Sequence, residues 1–410
     1  MKREEFYIIN SNTPVIITQV QSQVSHIGLL IHTGSRDDTL ETSGRMHMIE
    51  HMLFKGTKKR SYLQLLDYIE SVGGDINAYT SKEETCIYIS IHNEYVERAI
   101  DVLSDIFYST VFTKQELDKE KEVVIDEIQS YKDSPQENIF DEFEEKLFAP
   151  HELSWNILGN ETTIENLTVE NLTDIYNKQY VSHNSIISYV GGVNSKKIKK
   201  LTQSFFEEEK KSKDCTSTHK RTTFLHSNLF SEKSNRQTYQ AHCMLGTSAP
   251  SMHNSLKTAM ILLNNLLGGS CFNSQLNLLL REEHGLTYNI ESNYTAYTDT
   301  GIFSIYFGTD VSKIEQCKNL LFEKFKKIRA VGIRSSLLEM YKKQLIGQFA
   351  LSFDNHVAYM ISNAKSYMNY KHVDTYNESV KKIQNITNQN IIELATQVLH
   401  PDTLSELIYV

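Results

Sequence analysis

Apolar residues recur along the chain with two different periods, and the changes of period mark out its elements. Residues 15–20 and 26–32 are short runs rich in Val, Ile and Leu, and 85–91 places Ile87, Ile89 and Ile91 at alternate positions. All three predict strands. Over 113–131 the spacing changes: Leu117, Val124 and Ile128 fall on one face of a helix. Thr113 is a natural N-cap there, and Glu116 three residues on completes a capping box. Helices are also expected from about residue 43, from 62 and over 94–108. In the second half, 242–246 and 301–309 read as strands. Residues 276–283 read as a helix after a tight Gly268-Gly269-Ser270 turn, and 335–370 as a long helical stretch open to a break.

The pattern repeats at half-length. Residues 164–172 (IENLTVENL) are echoed by 383–391 (IQNITNQNI), an offset of 219. Each copy runs through a helix, N-capped by Thr168 or Thr387, into a short apolar strand at 186–190 or 404–410. A shared helix-turn-strand at that offset argues for two duplicated domains. Strands mixed with pairs of helices suggest an α+β fold, each domain a mostly antiparallel sheet with helices packed on one side. Residues 207–221 (EEEKKSKDCTSTHKR) are charged and nearly free of apolar residues, which reads as a solvated tether. The expected division is therefore 1–206, a linker over 207–225, and 226–410.

Composition adds exclusions. With 40% hydrophobic and 23% charged residues the chain is an ordinary globular protein. A net charge of −9, with no basic patch interleaved with aromatics, argues against nucleic acid as a partner. No apolar stretch approaches the length of a membrane span. Five scattered cysteines without a CxxC pair, and an N-terminus lacking an apolar signal core, make the cytoplasm the expected compartment.

Candidate chemistry begins at His47-Met48-Ile49-Glu50-His51. On a helix His47 and His51 lie one turn apart on one face and can share a zinc ion. Glu50 borders that face and can reach a water at the metal. The order His-x-x-Glu-His is the inverse of the commoner zinc-peptidase motif. A catalytic zinc needs a third protein ligand. Glu120 and Glu127, seven residues apart, share a helix face two turns apart. One of them can coordinate and the other can hydrogen-bond around the metal.

The stretch from Gly44 to Thr57 (GRMHMIEHMLFKGT) resembles the core signature of the M16 (pitrilysin, or insulinase-like) metallopeptidases. Arg45 and Met46 stand where a small or apolar pair is commoner in that family. The resemblance implies His47, His51 and Glu127 as ligands of one Zn²⁺ per chain, Glu50 as general base and Glu120 as a support of the site. Residues 73–85 (GGDINAYTSKEET) resemble the family's edge strand, whose backbone around Asn77, Ala78 and Tyr79 would pair with an extended peptide. Residues 280–288 (LREEHGLTY) resemble the segment whose Arg and Tyr, here Arg281 and Tyr288, bind substrate carbonyls and the oxyanion. At 273–276 the chain has Asn-Ser-Gln-Leu where the family often has Ser-Ser-Arg-Leu.

The function so implied is a zinc-dependent endopeptidase acting on peptides or unfolded segments inside a closed chamber. The short two-domain form resembles that of the mitochondrial processing peptidase subunits, and longer relatives in the family place four such domains around one chamber. It implies a homodimer in which Arg281 and Tyr288 complete the partner's site. The competing reading is a non-catalytic scaffold or partner subunit of an M16-type heteromer. The presence of His47, Glu50, His51, Glu120 and Glu127 together argues against it, since that role tolerates their loss.

Overall fold

The structure, a computed structural model, describes residues 3–9, 12–211 and 221–410. The first half of the chain forms β1 (Arg3–Ile8), β2 (Pro14–Gln19), β3 (Val24–Ile31), α1 (Arg45–Leu53), α2 (Tyr62–Glu70), β4 (Asp75–Thr80), β5 (Thr85–His92), α3 (Val96–Ser109), α4 (Lys114–Lys132), α5 (Pro135–Phe148), α6 (Glu161–Asn166), α7 (Val169–Gln179), β6 (Ser185–Gly191) and α8 (Ser195–Phe205). The second half forms β7 (Ser231–Ser234), β8 (Ala241–Ala249), α9 (Lys257–Gly268), β9 (Thr287–Ala296), β10 (Gly301–Thr309), α10 (Ile314–Val331), α11 (Ser335–Asp354), α12 (His356–Tyr370), α13 (Tyr376–Gln384), α14 (Asn388–Val398) and β11 (Ser405–Tyr409). The long helix expected over 335–370 is two helices. Asn355 interrupts it, and its side chain caps α12 by accepting from the Ala358 amide at 3.1 Å.

The duplication read from the sequence is built into the sheets. One sheet has the order β1-β2-β6-β3-β5-β4 and the other β7-β11-β8-β10-β9. Apart from the extra β1, the two orders correspond strand for strand. In each, one parallel pair (β2 with β6, β7 with β11) is followed by antiparallel ones. Thr168 and Thr387 both accept from the amide three residues on, at 3.3 and 3.2 Å, and each partner Asn returns the bond to the Thr amide. These reciprocal caps start α7 and α14, which lead into β6 and β11.

The domains are not cut where a single linker would cut them. One compact unit comprises Met1–Ile128, Trp155–Arg221 and Leu351–Val373; the other comprises Gln129–Ser154, Thr222–Ala350 and Asp374–Val410. The reason is the pleat. In the first sheet Leu29 and Ile31 point into the core shared with α1 and α3, whereas Ile16, Leu30, Cys86 and Ile186 point to the opposite face. That second apolar face is covered by α12, through Ala364 and Met368. In the second sheet Met244, Tyr306, Leu407 and Tyr409 form the equivalent face, covered by Ile139, Phe143 and Leu147 of α5. Most helices do lie on one side of each sheet. The other side is closed by a helix drawn from the opposite half of the sequence.

The expected tether is only partly solvated. Residues 212–220 of it, with Cys215, lie outside the described residues. On one side of them Lys210 donates to the Phe107 carbonyl at 2.5 Å and sits 3.9 Å over the Tyr176 ring. Burial pushes its ammonium down to about 7. On the other side Arg221 donates to Asp37 Oδ2 and to the Glu83 carbonyl, both at 2.8 Å. A charged run read as solvated therefore begins and ends on buried partners within the first unit. Cys86, Cys243, Cys271 and Cys317 are free thiols. No described helix is long and apolar enough to cross a membrane.

Candidate metal centre

The site is built on α1, which follows β3 through a short irregular loop. Gly44, just before the helix, has φ +90°, and a Cβ there would meet the Leu158 carbonyl oxygen at 2.5 Å. Only glycine fits both constraints. The helix has no side-chain cap of its own. Fully buried Asp38 serves instead, accepting from the Met46 amide at 3.3 Å and from Arg45 Nε at 3.1 Å. Burial pushes the Asp38 carboxyl up to about 7, and Arg45 pulls it back. A carboxylate at a helix N-terminus also favours the helix dipole. Arg45, the residue that departs from the family pattern, thus has a structural partner. Met46, Met48, Ile49, Met52 and Leu53 are fully buried, which leaves His47, Glu50 and His51 on the one face that opens outward.

Against that face lies α4. His47 and His51 stack edge to face with ring centroids 4.6 Å apart. Glu127 Oε2 lies 3.9 Å from His47 Nε2 and 3.6 Å from His51 Nε2. One donor atom from each of His47, His51 and Glu127 lies within 4.8 Å of the other two. Glu120, two turns earlier, stands behind His51: its Oε2 is 3.1 Å from His51 Nδ1. Since an ionised carboxylate only accepts, His51 Nδ1 carries the proton and Nε2 is left facing Glu127. Lys55 Nζ is 2.5 Å from the other Glu120 oxygen.

The electrostatics suit a cation. Burial, and then the neighbouring His51, push His47 down to about 4, so its imidazole is neutral with a lone pair available at pH 7. For His51 burial acts the same way, but interactions with Glu127 and Glu120 outweigh it and raise the group. The His51 interaction holds the Glu127 carboxyl below the ordinary range. Among the described residues buried His47 Nδ1 has no hydrogen-bond partner, so that ring is oriented by packing and by its contacts with His51 and Glu127. Two imidazoles and one carboxylate form the donor set of many catalytic zinc sites, and these three residues fit one.

Glu50 is half-buried beside this cluster, and burial raises its carboxyl above the ordinary value. Thr80 sits by Glu50, and its side-chain and backbone interactions with that carboxyl offset part of the rise. Thr80 ends β4, the outermost strand, which among the described residues pairs only with β5. Asn77, Ala78 and Tyr79 lie on β4, all partly exposed. As the end strand of its sheet β4 has an edge that no described strand covers, the form that accepts an added strand.

Arg281 and Tyr288 belong to the second unit. Arg281 lies in a π-helical turn, Asn277–Glu283, where a plain helix was expected. Its guanidinium sits 5.0 Å over the Tyr288 ring and 5.3 Å over Phe272. Phe272 and Tyr288 are both largely exposed. α9 of the second unit follows β8 as α1 follows β3, yet it reads KTAMILLNNLLG and holds no His or Glu. Asp38, Thr80 and Lys55 are the site neighbours that spacing did not reveal. Lys55 stood inside the GRMHMIEHMLFKGT stretch but four residues past His51 and beyond the helix end, where no periodicity ties it to α4.

The pattern of the family described as insulinase (peptidase family M16) matches residues 15–161, and that of the peptidase M16 inactive domain matches residues 166–345. The chain is 33% identical over 382 residues to the uncharacterized zinc protease YmxG of Bacillus subtilis, covering 93% of this chain and 92% of that one. It is 28% identical to the uncharacterized zinc protease SCO5738 of Streptomyces coelicolor, covering 94% and 85%. Among solved structures, a protease from Helicobacter pylori superposes with a TM-score of 0.90 at 19% identity, covering 100% of this chain and 99% of that one.

Proposed function

The chain belongs to peptidase family M16, the insulinase family, and on that premise we propose that it is a zinc-dependent endopeptidase cleaving peptides or unfolded segments. The observation that carries the reading is the convergence of His47, His51 and Glu127 within 4.8 Å, with Glu50 beside them. His47, His51 and Glu127 would hold the zinc. Zinc bound there supplies Lewis acidity that makes a water nucleophilic at neutral pH.

The remaining work falls to side chains and backbone. Glu50, with its carboxyl raised above its ordinary value by burial, takes a proton from the attacking water and returns it to the leaving amine. Glu120 holds the proton on His51 Nδ1 and so keeps that imidazole in one tautomer. The free edge of β4 lines up an extended peptide by main-chain hydrogen bonds, which hold a substrate without reading its side chains. Arg281 and Tyr288 donate to the oxyanion in a second copy of the chain, so the working form is a homodimer.

Glu50→Gln tests the chemistry. It should keep zinc, measured by elemental analysis, and lose peptide turnover by about 10²–10⁴-fold, the usual share of general acid–base catalysis. Near wild-type cleavage by that variant would remove Glu50 from the role, whereas wild-type protein that holds zinc yet cleaves no peptide would favour a non-catalytic function.

A further inference from the structure

We infer that Lys55 is a positioning residue of the metal centre: it clamps Glu120 so that Glu120 can fix the tautomer and orientation of His51. The inference rests on the zinc-site reading proposed above. Glu120 is 6% exposed, and its two oxygens are divided between two partners. Oε1 is 2.5 Å from Lys55 Nζ and Oε2 is 3.1 Å from His51 Nδ1. On the far side of the same ring, His51 Nε2 faces Glu127 Oε2 at 3.6 Å. Lys55, Glu120 and His51 therefore form a continuous chain that ends on a donor atom. A carboxylate held at both oxygens cannot rotate away from His51 and has none left to compete for the metal. Lys55 thereby gives the two glutamates of α4 their different tasks.

The burden on this chain is large because the other histidine has no equivalent. His47 Nδ1 is buried with no hydrogen-bond partner among the described residues, so orientation through Nδ1 is seen at His51 and not at His47. The remaining contact of Lys55 is with Tyr62, whose ring centroid lies 5.2 Å from Nζ. That contact steers the ammonium, and among the described residues Lys55 is the one cation paired with Glu120 Oε1. Lys55 is also placed to act, two residues beyond the end of α1 and one past its Phe54 C-cap, so it reaches α4 without disturbing the helix that carries the histidines.

A positioning role and a purely electrostatic one differ in sign. A positive charge near a dication opposes its binding, so if Lys55 acted through charge alone its removal would tighten zinc. If it positions Glu120, removal weakens zinc. The experiment is a double-mutant cycle of Lys55→Met and Glu120→Gln, read as zinc affinity by chelator competition at fixed pH. Thermal melts of the zinc-stripped proteins and the nitrogen NMR signature of the His51 tautomer accompany it. Lys55→Met should weaken zinc about 10-fold, the lower end of the 10–100-fold seen for groups that orient metal ligands. It should also blur the single tautomer, and Lys55→Arg should restore most of the affinity. On the Glu120→Gln background, Lys55→Met should add nothing. Unchanged or tighter zinc in Lys55→Met, or a full additional loss on the Gln background, overturns the inference. Should Met at this position impair folding, Lys55→Gln takes its place in the same cycle. If His51→Ala itself retains zinc, the zinc-site reading fails instead, which separates the two outcomes.

Discussion

At the scale of single residues, identical side chains do different work because their surroundings differ. His47 and His51 are one helical turn apart, yet burial drives one down to about 4 while two carboxylates raise the other. His32, on the same unit but outside the metal cluster, permits a cleaner test. It accepts from Arg221 Nη1 at 3.1 Å, and burial, then Arg221, push it down to about 4. The folded value lies below the ordinary 6.5, so the unfolded chain binds this proton more readily. The neutral ring's contribution is complete above about pH 6.5 and is lost as pH falls towards 4. His32→Gln should therefore lose less stability than wild type between those limits, compared by urea unfolding of zinc-stripped protein at each pH. Parallel curves for the two proteins would show that His32 does not titrate on unfolding.

At the scale of elements, helix geometry carries most of the site. Seven residues on α4 return Glu120 and Glu127 to the same face, and four on α1 do the same for the histidines. Those spacings were readable directly from the residues. The caps were readable too: Thr168 and Thr387 start equivalent helices in the two units with the same reciprocal bonding to an Asn. Replacing either by Ala should cost about 1 kcal/mol by chemical denaturation, the typical loss for an N-cap hydroxyl. A loss at one position and none at the other would mean that the duplicated helices are not energetically equivalent. The elements that were missed, among them β1, β7 and α5, have weak signals for physical reasons. β7 is four residues of SEKS with no apolar face. The helical period of α5 is hidden among its charged residues, although it supplies Ile139, Phe143 and Leu147 to a buried cluster.

At the scale of the whole molecule, the exchange of α5 and α12 between sequence halves makes the halves interdependent. A fragment of residues 1–211 would lack α12 and leave Ile16, Leu30, Cys86 and Ile186 uncovered on one sheet face. Such a face on a lone fragment favours association. Fragment 1–211 expressed alone should be insoluble or bind apolar dyes, and co-expression with 221–410 should restore a soluble species with native near-ultraviolet circular dichroism. A well-folded lone fragment would show that α12 is dispensable. The proposed homodimer is tested at the same scale by mixing Glu50→Gln protein with Arg281→Ala protein. If sites are completed across protomers, the mixture contains one intact site per hybrid dimer and activity returns. Absence of rescue despite proven subunit exchange would confine each site to one chain.

Apart from the edge strand and the separate roles of the two glutamates, which the family resemblance implied, the sequence by itself determined the metal-binding residue types and their helical spacing, the duplicated plan and the capping threonines. Each of these is a local periodicity or a short motif, and such features are set by backbone geometry within a few residues. Only the tertiary structure decided the rest: it placed Glu127, the ligand the resemblance implied, beside both imidazoles, set Lys55 on the other oxygen of Glu120, capped α1 with Asp38 from outside the helix, and gave each sheet a helix from the other half of the chain. These depend on which distant segments meet. Both glutamates share one helix face, so no periodicity separates them; the packing of α4 against α1, and the cation that packing brings to Glu120, does.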